Sequence, residues 1–328
     1  MGRLTPRAGA ALALSLTALV AAGLCLGASR PRVTVERDDA AGRLTVLIGG
    51  REALVFQYGP DVDLPHYWPM RSPSGRNMIV EKTEPYPHHR GFWFADTVRT
   101  AAGEKDLSFY NALYSGAKTA AGGYGPPFRE RVRLESSPLI EAAKARAVIE
   151  ARLVWESDGK PVLREERRLV VHSLGHGEYL LDLTFALTPV EGDVTFASDD
   201  VHYAWPFLRL DPAWNGEHGG RITSDSGAAG EKATNMKPAL WIDYSNTIDG
   251  RTEGVAVFQF PDGAIHRWLT REYGTFGPRR PEDRSGRPFT LHPGESVVQR
   301  AGVLVHGGDV ASGRVRERYG RYVRGGWK

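Results

Sequence analysis

The chain has 328 residues, 42 Lys+Arg against 39 Asp+Glu for a formal charge of +3, and 41% hydrophobic residues. That near balance excludes the basic footprint of a nucleic-acid-binding protein. Cys25 is the only cysteine, so a chain processed beyond it has no disulfide, thiolate metal site or cysteine nucleophile, and any metal would have to be held by His, Asp or Glu.

The first residues read as an export signal: Arg3 and Arg7 form a positive start, Ala8 to Leu26 is apolar, and Gly27, Ala28 and Ser29 are small. The expectation is a signal peptide over 1–29 and an extracytoplasmic mature chain, periplasmic or secreted, over 30–328. Loss of the two arginines lowers the formal charge of +3 by two. The apolar run approaches a bilayer-spanning length, so a retained anchor is the alternative; no later segment is long and apolar enough to cross. The remaining length suffices for one large core, and a single domain is expected over 30–328.

Period-two patterning dominates from Val33 onward. Pro87-His88-His89-Arg90-Gly91-Phe92-Trp93-Phe94 packs two imidazoles and a guanidinium beside an aromatic run, the composition of a cleft more than of a plain strand. A short helical turn is predicted near Lys105 to Leu113. Ala147 to Trp155, the turn Ser157-Asp158-Gly159-Lys160, and Val162 to Val171 read as a hairpin, and Tyr179 to Thr188 as the next strand. Asp199 to Phe207 interleaves aromatic and polar residues; as a strand it puts Asp200 and His202 on one face, where the carboxylate can orient the imidazole. Trp241 to Tyr244, Gly254 to Phe260 and Ile265 to Arg271 are predicted as successive strands separated by Asp249-Gly250 and Asp262-Gly263. The tail from Asp309 to Val323 has helical spacing at Val310, Val315, Tyr319 and Tyr322, with Gly313 against it. Many short strands without a fixed repeat point to an all-β fold: a large antiparallel two-sheet β-sandwich, the galactose-mutarotase-like supersandwich being one form of it, with a short C-terminal helix.

Three clusters combine His or Arg with aromatics: 87–94, 199–207 and 266–274. In the last, Arg271 and Trp268 suit a polar ring, since an aromatic stacks on its apolar face while arginine bonds its oxygens. A nucleophile elbow, a His-Glu-x-x-His helix, a phosphate-binding glycine loop and a dinucleotide fingerprint are all missing, so no nucleotide cofactor is expected.

Pro87-His88-His89-Arg90 with Trp93-Phe94, Leu163 to Arg168, Trp241 to Ser245, Arg271-Glu272-Tyr273-Gly274 and His306-Gly307-Gly308-Asp309 together resemble the ordered signatures of the PmoA-like family of bacterial domains, often filed as methane oxygenase PmoA. The resemblance spans nearly all of the mature chain. It implies a β-rich, sandwich-like, often exported domain associated with sugar catabolism, and it carries over His88, His89, Arg90, Trp93, Arg271 and Tyr273. Asp199 to Tyr203 and Trp268-Leu269 depart from the commoner pattern, which implies a divergent subgroup with altered substrate.

The expected function is an exported carbohydrate-active enzyme, a glycosidase or lyase, acting on a small or oligomeric sugar or sugar acid. His88, His89, His202 and Asp200 are the candidate acid-base groups, and Arg90, Trp93, Trp268, Arg271 and Tyr273 the candidate substrate-binding residues. A divalent metal held by His88, His89 and His202 is a further expectation. The rivals are a non-catalytic carbohydrate-binding module and a metal-dependent oxygenase.

Overall fold

Alternation of apolar and polar residues produces two large antiparallel sheets whose apolar faces meet. The computed structural model describes residues 1–2, 30–101, 103, 105–197, 204–263, 265–280 and 287–327. The signal-peptide reading, Asp200 and His202 lie outside those residues. The all-β expectation holds: among the described residues the α-helices are the single turn Glu231–Thr234 and the C-terminal Val315–Val323. Neither is long and apolar enough to cross a membrane.

The first sheet has eight strands, in the order Val33–Asp38, Arg43–Ile48, Arg51–Gln57, His66–Met70, Phe92–Trp93, Phe207–Arg209, Thr275–Pro278 and Trp268–Thr270. The second has nine. Its path runs Glu130–Leu134, Arg146–Ser157, Lys160–Gly175, Glu178–Pro189, Val297–Gly307, Arg251–Gln259, Trp241–Ile248 and Arg221–Ser224, with Leu139–Ala143 added to Arg146–Ser157. A four-stranded sheet containing Thr97–Thr100 and Val194–Phe196 and a two-stranded ribbon flank them.

The predicted central hairpin is present and longer than the pattern showed, pairing Arg146–Ser157 with Lys160–Gly175. Its turn residues Asp158 and Gly159 have φ of 49° and 72°, the left-handed pair that matches strand twist. Leu163, Leu169 and Val171 point inward from the second strand, and Arg164, Glu166 and Arg168 outward. The inward faces of both sheets form one core, where Phe94 stacks on Phe185 at 3.9 Å and Tyr244 meets Phe276 at 4.3 Å between ring centroids. Burial of a side chain such as Phe185 contributes about 1.5–3 kcal/mol. A second apolar cluster lies on the outward face of the nine-stranded sheet, where Trp241, Phe258 and Leu304 are covered by Val315, Tyr319 and Tyr322 of the C-terminal helix.

Two expectations are corrected. The strand predicted after Asp262-Gly263 shrinks to Trp268–Thr270 and belongs to the eight-stranded sheet; Arg251–Gln259 pairs instead with the distant Val297–Gly307. The helical turn near Lys105 to Leu113 is a short strand, Leu107–Ser108, followed by a 3-10 turn, Ala112–Ser115. The tail helix begins only at Val315, because Arg314 before it takes a left-handed φ of 53°; Gly313 packs so close to His306 that an added Cβ would lie 2.3 Å from its Nδ1.

Candidate functional site

The segment 86–90 is clamped before it delivers its histidines. Arg90 is fully buried and grips Asp63 through Nε at 3.1 Å and Nη2 at 2.9 and 2.8 Å, while its Nη1 donates to the Pro87 carbonyl at 2.6 Å. Arg90 therefore fixes the loop, and its guanidinium is turned into protein. Gly91 follows with φ of 62°, and a Cβ there would lie 2.8 Å from the Tyr67 carbonyl oxygen. Only glycine turns the loop into the Phe92–Trp93 strand so tightly.

That strand pairs Trp93 with Phe207, and the next strand pair sets Arg209 opposite Thr275. The pleat places all four on one face, and Phe92, Leu208 and Phe276 on the core face. Trp93 and Phe207 stack at 4.7 Å. His89 lies over Trp93 at 5.2 Å and is itself stacked on Tyr86 at 5.0 Å. Its Nε2 is 2.9 Å from the Tyr110 hydroxyl and its Nδ1 3.4 Å from the Thr275 hydroxyl. His88, half-buried, meets His89 edge to face at 4.6 Å and has Nδ1 3.0 Å from the hydroxyl of the exposed Tyr114. Arg209 lies 4.4 Å above the Tyr273 ring and donates Nη1 to the Thr275 hydroxyl at 3.4 Å and the Tyr273 carbonyl at 2.5 Å.

The electrostatics of this cluster are set by burial. It pulls the His88 pKa down to about 4, with Arg90 adding to the effect, and the His89 pKa down to about 2, with His88, Arg209 and Arg90 adding to it. Both rings are neutral near pH 7. Burial raises Tyr114 and Tyr273 above the ordinary phenol value, so both keep their protons. Two buried donors, Arg209 Nε and Trp93 Nε1, have no hydrogen-bond partner among the described residues. An orphaned buried donor costs about 1–3 kcal/mol.

The structure thus brings His88, His89, Trp93 and Tyr273 together. It ties Trp268 into the core, with Nε1 donating to the Ala239 carbonyl at 2.7 Å, and Arg271 to Glu231 at 3.1 Å. Among the described residues no group of three His, Cys, Asp or Glu side chains is placed to hold a metal ion. Sequence reasoning missed Tyr86, Tyr110, Tyr114, Thr275 and Arg209. The signal for Arg209 was a lone cation inside the apolar run Phe207-Leu208-Arg209-Leu210.

A family model, described as a family of unknown function (DUF6807), matches residues 43–319. The chain belongs to DUF6807. This corrects the resemblance to the PmoA-like family, since the matching model is that of DUF6807; short series such as Pro-His-His-Arg are too brief to separate families on their own. No curated protein matches the DUF6807 chain in sequence. Among solved structures it is similar to an alpha-galactosidase from Lactobacillus brevis, at 10% identity and a TM-score of 0.44, over 83% of this chain and 39% of that one. It is also similar to a galactose 1-epimerase from Lactobacillus acidophilus NCFM, at 12% identity and a TM-score of 0.37, over 85% of this chain and 99% of that one. The DUF6807 chain spans under two fifths of the galactosidase's length.

Proposed function

We propose that the protein is an exported carbohydrate-active enzyme of the lyase class that abstracts the proton beside the carboxylate of a sugar acid. The observation that carries this reading is the pairing of a buried arginine with an uncommitted donor, Arg209, and two neutral histidines each bonded to a tyrosine hydroxyl. Arg209 binds the substrate carboxylate and withdraws its charge, which acidifies the adjacent C–H bond. His88, neutral above pH about 4, takes that proton on Nε2. The electron pair forms a carbon–carbon double bond, the carbon–oxygen bond to the leaving sugar breaks, and the Tyr114 hydroxyl protonates the departing oxygen. The 3.0 Å contact between His88 Nδ1 and Tyr114 then lets the imidazolium return a proton to the phenolate.

Glycosidases need two carboxylates about 5–9.5 Å apart across the scissile bond. Here the carboxylates of Asp63 and Glu231 are ion-paired to Arg90 and Arg271, and Glu84, near Tyr114, and Glu217, near Arg209, are the carboxylates whose substitution by Gln separates elimination from hydrolysis. The test is a panel of uronate-containing oligosaccharides followed by the ultraviolet absorbance of the unsaturated product. Turnover is expected to fall ~100-fold or more in His88→Gln and in Tyr114→Phe. Unchanged turnover in Arg209→Gln, or cleavage confined to neutral sugars, would overturn the reading; binding without any turnover would make the protein a carbohydrate-binding module.

A further inference from the structure

The outward face of the nine-stranded sheet carries a second cluster of polar groups, on the side of the fold away from the imidazole pair. Arg146 stands directly across from His172 in the strand register, Arg168 lies two positions from Val170, and Asp182 and Arg300 continue the face on the next two strands. Between them and the end of the C-terminal helix is a cavity of about 370 Å³, walled by Trp327. That is within the size range of small-ligand pockets, about 300–1,000 Å³.

Its charge is lopsided. Arg300 is paired with Asp182 at 2.6 Å and Arg168 with Glu150 at 3.1 Å. Arg146 has no carboxylate partner among the described residues, and Arg30 adds another guanidinium 5.8 Å from the centre of the Trp327 ring. His172 is only 8% exposed and opens onto the cavity, and its ring bonds to no described residue. Trp327 Nε1 is a buried donor with no hydrogen-bond partner among the described residues. The cavity therefore offers donors and positive charge in excess of acceptors, beside an indole face.

We propose that this cavity binds a small ligand through an oxyanion, the carboxylate, sulfate or phosphate group of a sugar derivative. The guanidinium fork of Arg146 matches an oxyanion's paired oxygens, and His172 and Trp327 Nε1 supply further donors, while Arg321 lies over the indole at 3.9 Å and adds to the positive charge. The inference stands independently of the reaction at His88. Arg30, Arg146 and Arg168 hold a proton off His172, whose pKa burial and these charges lower to about 4, against the opposing pull of Asp182. A bound anion reverses that balance, which makes the His172 ring a reporter.

The experiment is a proton NMR titration of the whole protein's histidine ring signals with sodium glucuronate, sulfate and glycerol phosphate, at ionic strength held constant with chloride and with glucose as the neutral control. The His172 signal is assigned by its loss in His172→Gln. A saturable shift of that signal is expected with at least one anion and not with glucose, at least 10-fold weaker in Arg146→Gln and in Arg146→Gln/Arg168→Gln. Both arginines are exposed, so these variants keep the core. Saturation by glucuronate alone identifies an acidic sugar, and saturation by sulfate or phosphate as well identifies the oxyanion as the recognised group. No saturable shift with any anion, an equal shift with glucose, or undiminished binding in both variants would overturn the proposal.

Discussion

Buried histidines pull the stability of this protein in opposite directions with pH: His88, His89 and His172 one way, His306 the other. His88 and His89 have pKa values lowered from 6.5 to about 4 and about 2. As pH falls below about 6.5 the unfolded chain takes up protons that the folded chain refuses, so stability declines. His306 behaves oppositely: burial alone would depress it, but the Asp243 carboxylate 2.7 Å away raises it above 6.5. Its contribution is complete below about 6.5 and is lost as pH rises through the folded value. Urea midpoints measured from pH 4 to 8 are expected to fall on the acid side, and His88→Gln/His89→Gln to make that limb shallower, with His172 still contributing to it. His306→Leu is expected to cost about 3–5 kcal/mol by the same measurement, because it leaves the fully buried Asp243 without a counter-charge. His88 and His89 were legible in the sequence through the density of rings and cations around them. Arg209 was not, since one cation in an apolar run also describes a strand edge; its role emerges only when Thr275, 66 residues later, lies beside it.

At the level of elements, the site depends on how the 86–93 segment is held. Gly91→Ala places a methyl against the Tyr67 carbonyl and asks alanine to adopt a φ of 62°. It is expected to cost about 1–3 kcal/mol and to lower turnover as well, readable from denaturation and initial rates together. Asp63→Ala is expected to cost more, about 3–5 kcal/mol, by orphaning the buried Arg90. The hairpin over 146–175 was legible because its turn chemistry and alternation agree over many residues. The strand after Asp262-Gly263 was misplaced for an equally plain reason: a turn signal reports that the chain reverses and not which sheet receives it. Val297–Gly307, with its inward row of Val297, Val303 and Val305, took the place beside Arg251–Gln259.

On the scale of the whole molecule, the C-terminal helix is a cover for one sheet face. Truncation after residue 308 removes Val315, Tyr319 and Tyr322 from Trp241, Phe258 and Leu304. The expected result is a lower melting temperature and binding of an apolar dye, with about 1.5–3 kcal/mol lost for each large side chain uncovered. The imidazole cluster, in turn, is assembled from four stretches scattered between residues 86 and 275, so no fragment contains it. One hydroxyl gives that assembly a direction. Arg209 can only donate, so the Thr275 oxygen accepts from it, which leaves the hydroxyl one hydrogen to give and one lone pair to offer to His89 Nδ1. When the hydroxyl donates, the His89 proton resides on Nε2 and faces the Tyr110 oxygen; when it accepts, the proton is on Nδ1 and Tyr110 donates to Nε2. A permanent cation thus fixes one side of a rotatable hydroxyl beside the inner histidine, and a nitrogen NMR spectrum of His89 across the neutral range tells the two tautomers apart. Which nitrogen of the inner histidine holds the proton is thereby tied to the rotor of a single threonine.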